Sequence, residues 1–250
     1  MVVAFPYQVK IFPNTQGCSE MSIITDDQII ETIKESLNIE TDNLNESYVA
    51  QEKVFDLSTE FLSNASKQNH IELYQKYIED FNRISAELDT ADRTDVNSNG
   101  SRYRSLKVDE TYNMNAIYLH ELYFANISDL HSQIGMDSLS YMRLSRDFGG
   151  FDEWQKDFIA CGMASRCGWA ITYFSTYLQS YVNCSVDLHS VNVPVGAYPI
   201  IVMDVWQHAY YRDYLKDVKT YIYGMMKQLN WNVIEKRFEK SEKIANALRF

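Results

Sequence analysis

Apolar residues recur at helical spacing in "FLSNASKQNHIELYQKYIEDFNRISAEL", where Leu73, Tyr77, Phe81, Ile84 and Leu88 follow one another at four, four, three and four. This predicts a helix within about residues 53–88. A polar break, "DTADRTDVNSNGSRYRSL" (89–106), follows with "NSNG" as its turn, and "ETYNMNAIYLHELYFANISDLHSQI" then reads as a second helix. "SLSYMRLSRDFGGFDEWQKDFIACGMASRCGWA" is also mostly helical, punctuated by Gly149 and Gly150. After it the texture changes. "WAITYFSTYLQSYVN", "SVDLHSVNVPV" and "YPIIVMDV" are rich in β-branched and aromatic residues and read as three short strands, and the tail from Lys219 returns to helix.

Two helices followed by a small sheet flanked by helices is an α+β arrangement. Residues 1–52 stand apart: "VVAFPYQVKIF" alternates like a strand, "TDDQIIETIKESL" opens with a capping residue and reads as a short helix, and "NIETDNLNESYVAQE" is polar and linker-like. The division expected is an N-terminal extension over 1–52, a helical hairpin over 53–130 and an α/β part over 131–250.

Composition narrows the function. A formal charge of −11 argues against a nucleic-acid surface, which needs clustered Lys and Arg. No run approaches the length of a membrane span, and "MVVAFPYQVKIF" lacks the unbroken apolar core of a secretion signal, so a soluble, non-secreted chain is expected. Cysteines 18, 161, 167 and 184 show no CxxC spacing and read as reduced, buried thiols.

The five histidines carry the chemistry. His70, His120 and His208 sit in amphipathic or apolar stretches, and Asp204 ends an apolar run four residues before His208. A single histidine on an apolar face is usually a core residue bonded to a carbonyl. Three, with a carboxylate at the end of a buried strand, suit a transition metal such as iron, manganese or zinc.

"PIIVMDVWQHAYYRDYLKDVKTYIYGMMKQLNWNVIEKRF" resembles the C-terminal signature of the iron/manganese superoxide dismutases, D-x-W-E-H-A-(F/Y)-Y followed by a Tyr-rich helix and a V-N-W segment. Asp204, Trp206, His208, Ala209, Tyr210, Tyr211, Tyr214, Tyr221, Asn230 and Trp231 all match. "DFGGFDEWQKDFIACGMASRCGWA" is similar to the family's F-G-S-F helix leading to G-S-G-W, and the resemblance spans roughly residues 55–245. It implies a helical hairpin, a three-stranded antiparallel sheet flanked by helices, and one iron or manganese ion held by His70, His120, Asp204 and His208. Ungapped alignment would instead put Asn69 at the metal. His70 is preferred because an amide is a poor ligand for a redox metal, and because Tyr77, the gateway tyrosine by resemblance, lies seven residues on and so nearly on the same helix face. Tyr74, one turn from His70, would replace a histidine the family often carries there, and Tyr77 or Tyr74 would line the entrance. His189, in "HSVNVP", would take the place of an outer hydrogen-bond donor to metal-bound solvent, its plain alternative being a strand-end surface histidine. Trp169 and Trp206 would form a water-excluding wall, while His131 matches no family position and is expected to be exposed.

The activity implied is ping-pong dismutation of superoxide to oxygen and hydrogen peroxide, in a homodimer. Departures from the pattern keep a second reading open. Gln207 stands where the family has a Glu that reaches the partner subunit's ligand, Leu119 replaces an Asn, Phe124 replaces a Trp, and "SRCGWA" is shorter than the usual turn. The alternative is a non-catalytic scaffold of this fold in a larger particle, docked through residues 1–52. A hydrolytic zinc site is a third reading, for which no general base is visible.

Overall fold

A computed structural model of the protein describes residues 50–128 and 132–248. The strand and helix expected before residue 50, Cys18 and His131 lie outside these residues. The first helix, α1 (Asn64–Asp89), starts where Ser63 turns the chain from extended to helical and its hydroxyl accepts the Ser66 N–H at 3.2 Å. It was expected from about residue 53. Residues 50–63 instead run non-helically along the hairpin, where the Asn82 side chain accepts the Ala50 N–H at 2.7 Å and donates to its carbonyl at 3.0 Å.

The second helix, α2 (Arg102–Asn126), begins inside the stretch read as a polar break. Gly100 takes a left-handed φ of 83° and Ser101 caps the helix that follows. Arg102, Arg104 and Lys107 face solvent while Leu106 packs on Ile84 and Leu88, so polar composition concealed a helical surface. The helix ends at Asn126, short of the predicted residue 134, and Asn126 offers its carbonyl to the Asn230 N–H.

Helices α3 (Leu139–Phe148) and α4 (Phe151–Ala164) are separated by Gly149 and Gly150, as read from the sequence. Gly149 has a φ of 79°, the left-handed end of a helix that glycine favours. The antiparallel sheet has order β2-β1-β3, with β1 (Gly168–Ser175) central, β2 (Ser180–Asp187) and β3 (Ala197–Asp204). The second strand differs from expectation. A turn ending at Gln179, φ 53°, splits the first β-rich run, so β2 takes the end of that run and the start of the next. "LHSVNVPV" connects β2 to β3 instead of forming a strand. No Gly or Pro marks that turn, and the run is β-prone throughout.

All eight positions of β1 are buried. Gly168 opens it because a Cβ there would lie 1.9 Å from the Val186 carbonyl oxygen of β2. Helices α5 (Gln207–Tyr214), α6 (Val218–Lys227) and α7 (Trp231–Ala247) complete the chain, α7 being capped by Asn230. Cys161, Cys167 and Cys184 are free thiols, but half-buried and not enclosed as expected. No helix among the described residues is long and apolar enough to cross a membrane.

Candidate metal centre

Four side chains from four elements meet in the core. His70 comes from α1, His120 from α2, Asp204 from the end of β3 and His208 from α5. Asp204 Oδ2 is their common point, 3.1 Å from His70 Nε2, 3.3 Å from His208 Nε2 and 3.8 Å from His120 Nε2. The four donor atoms all lie within 4.8 Å of one another. His120 and Asp204 are fully buried and His70 nearly so, whereas the His208 side chain is 26% exposed.

Hydrogen bonds turn the donor atoms inward. His120 Nδ1 donates to the Ala116 carbonyl at 2.7 Å, one turn back on α2, which leaves the Nε2 lone pair facing the site. That Nε2 is buried with no protein partner, an arrangement that is costly unless something binds it. Asp204 Oδ1 accepts the Trp206 N–H at 2.8 Å, and its main-chain carbonyl accepts the Tyr221 hydroxyl at 2.7 Å, so Oδ2 alone points at the histidines. Burial alone would raise the Asp204 carboxyl, but the His208 charge and the hydrogen bonds from His208 and His70 drive it far below the usual carboxylate range. Burial pushes the His70 and His120 pKa values down, and His70 adds to the effect at His120. Three imidazoles and a carboxylate are a ligand set that iron, manganese and zinc all accept.

Asn69, the competing choice for the first position, is exposed and lies outside the cluster, lining a cavity of about 330 Å³ with Gln207, His208, Tyr211 and Arg212. Seven residues are close to two full turns, so Tyr77 shares the inner face of α1 with His70. Its ring centroid is 5.3 Å from that of His120, and its hydroxyl is 3.1 Å from His189 Nε2. Tyr74, the other candidate for the entrance, is fully enclosed. Its hydroxyl donates to Glu121 Oε1 at 3.1 Å and accepts the Lys53 N–H at 3.2 Å, behind the His120 ring.

His189 is fully buried, which removes the surface-histidine alternative. Leu188, with a φ of 57°, turns the chain inward after β2, and the Asn115 amide holds the His189 carbonyl at 2.9 Å. The Trp169 indole N–H donates to His189 Nδ1 at 3.1 Å. Because an indole only donates, Nδ1 is the acceptor and the neutral ring carries its proton on Nε2, facing Tyr77. Burial brings the His189 pKa down to about 4, so the ring is neutral near pH 7. Trp206 stacks on His189 at 5.1 Å and on His208 at 5.7 Å, and Trp169 meets the His120 ring edge-on at 5.0 Å.

Sequence reasoning missed Tyr112, whose ring stands 4.7 Å from His189 and whose hydroxyl meets that of Tyr77. The available signal was its place eight residues before His120 on the same helix. It also missed Tyr123, packed 5.3 Å from His70, whose hydroxyl lies 3.1 Å from that of Tyr221, a residue of the matching signature.

The profile of the iron/manganese superoxide dismutases, C-terminal domain, matches residues 138–237. An iron superoxide dismutase of Aquifex pyrophilus is 37% identical over 194 residues, covering 76% of this chain and 90% of that protein. Its counterpart from Aquifex aeolicus is 36% identical over the same length and shares. A manganese superoxide dismutase of Halobacterium salinarum is 28% identical over 173 residues, 69% of this chain and 84% of its own.

Proposed function

Because the chain belongs to the iron/manganese superoxide dismutase family, we propose that it converts superoxide to oxygen and hydrogen peroxide at one iron or manganese ion held by His70, His120, Asp204 and His208. The observation that carries this reading is the convergence of three imidazole nitrogens on one Asp204 oxygen, with the buried His120 Nε2 lacking any protein partner. The metal, alternating between its trivalent and divalent states, supplies the one-electron chemistry of a ping-pong dismutation.

The residues do the remainder. One carboxylate among three neutral imidazoles leaves the loaded centre net positive in either state, which favours a small anion despite the acidic chain. Trp169 fixes the proton of His189 on Nε2, and that N–H engages the Tyr77 oxygen. The Tyr77 hydroxyl hydrogen is thereby turned away from His189 and donated to the Tyr112 oxygen. Burial raises the Tyr77 pKa, so the phenol keeps its proton at neutral pH and could serve as a proton donor in the site. Trp169 and Trp206 wall the site against water. His189 thus acts through Tyr77, while Tyr74 supports α2 through Glu121.

Gln207 is exposed beside His208, and a homodimer formed across this face would let its amide reach the partner subunit. A soluble, non-secreted enzyme, cytoplasmic or in an organelle, is the setting proposed. The scaffold reading, with residues 1–52 docking to a particle, has no support among relatives that bear the name of an enzyme. Superoxide dismutation by protein loaded with iron or with manganese, compared with a chelated sample and with the His120→Ala variant, tests the reading. Activity in either loaded form that vanishes in both controls is expected; equal rates in all samples would refute it.

A further inference from the structure

Arg237 occupies a core position of α7, next to Phe238 and one turn from Ile234, and is only 6% exposed. Its guanidinium donates from Nη1 to Asn126 Oδ1 at 2.5 Å and to the Ile200 carbonyl at 2.9 Å, and from Nη2 to the Leu122 carbonyl at 3.0 Å. All three acceptors are uncharged. Among the described residues no Asp or Glu forms an ion pair with it. Burial lowers its pKa to about 10, so it stays a cation at neutral pH. Burying a cation without a counter-ion is expensive, and Leu or Met would fill the same apolar stripe without that penalty.

The acceptors say what the charge is for. Leu122 lies two residues beyond His120 on α2, and Ile200 four residues before Asp204 on β3. Asn126 completes the tie, because its amide donates to the Val202 carbonyl of β3 at 2.8 Å while its carbonyl accepts the N–H of Asn230, the cap of α7. Apolar packing between helix and sheet tolerates small sliding. Hydrogen bonds to chosen main-chain carbonyls do not, and a cation at the C-terminal end of α2 is also favoured by the helix dipole. The two elements joined are those that hold His120 Nε2 and Asp204 Oδ2 3.8 Å apart.

We propose that Arg237 is a positioning residue for the metal centre: it locks α2 to β3 in the one register that keeps His120 and Asp204 at the separation the ion needs. The proposal rests on the metal-site reading above. Its test is the rate at which manganese-loaded protein gives up its metal to an excess of chelator, well below the melting temperature of every variant. Arg237→Met should release manganese about tenfold faster than the parent protein, the scale on which residues behind metal ligands act. Arg237→Lys, which keeps the charge and can reach some of the acceptors, should fall between them. Phe238→Leu serves as the control, since it weakens the same helix without touching the tie. Equal release by Arg237→Met and by a Phe238→Leu protein of similar melting temperature would show a merely structural role and overturn the proposal. If Arg237→Met does not fold, the same comparison between Arg237→Lys and Phe238→Leu decides. Failure of the parent protein to hold any metal would sink the site reading first and this proposal with it.

Discussion

Trp169→Phe is the substitution that best isolates the outer layer of the site. It removes the indole N–H that His189 Nδ1 accepts at 3.1 Å, between two fully buried side chains, and leaves an aromatic ring in place. An unsatisfied buried acceptor costs about 1–3 kcal/mol. The smaller ring adds a void beside His120, so the total loss of stability is about 2–4 kcal/mol, by the transfer-plus-cavity rule for core truncations. Part of the first contribution is recoverable, because a released imidazole can move its proton to Nδ1. A double-mutant cycle with His189→Ala separates the two contributions: the void is common to both backgrounds, and the hydrogen bond is not. Urea unfolding of metal-free protein should give a coupling of about 1 kcal/mol. In the loaded enzyme, Trp169→Phe should slow turnover with a changed pH profile, because the His189 proton, and with it the Tyr77–Tyr112 hydroxyl pair, is no longer held in one orientation. A coupling below about 0.3 kcal/mol, within the usual additivity error, together with an unchanged pH profile, would refute this account of how Tyr77 is oriented.

Gly168→Ala should destabilise the protein by about 3 kcal/mol or more, since its Cβ would sit 1.9 Å from the Val186 oxygen and β1 and β2 would have to part beside Trp169; thermal melting checks it. Stability of the metal-free protein should fall as pH drops from about 6.5 towards 4. The His189 pKa is about 4 when folded, so the unfolded chain takes up the proton first, at a cost approaching 3 kcal/mol; His70 and His120 shift in the same direction, and urea midpoints across that range in chelator report the sum. Asn69→Ala should leave the metal content unchanged while His70→Ala abolishes it; the reverse result would restore the ungapped register of α1.

The metal site was legible because its four residues are chemically scarce and lie in strongly patterned segments. His70 could be separated from Asn69 by ligand chemistry and helix geometry once the family resemblance had marked Tyr77, and the cluster forms around His70. Tyr74 and Tyr77 share one helix face, however, and periodicity does not say which hydroxyl finds His189 and which finds Glu121. That choice depends on α2 and on the segment near Lys53, which reach α1 only through the tertiary fold. The start of α2 was hidden because an exposed helical turn and a polar loop have the same composition. The split of the β-rich run at Gln179 was hidden because β-propensity continues through it. Nothing in the helical pattern of the tail sets Arg237 apart from Lys236 or Lys240; only the packing of α7 against α2 and β3 shows that it points inward.

The central claim is that His70, His120, Asp204 and His208 bind one redox metal. Elemental analysis of the purified protein, beside a His120→Ala preparation, tests it most directly. About one iron or manganese per chain is predicted for the parent protein, with little in the variant. A folded parent protein carrying neither metal, or a variant carrying as much as the parent, would contradict it.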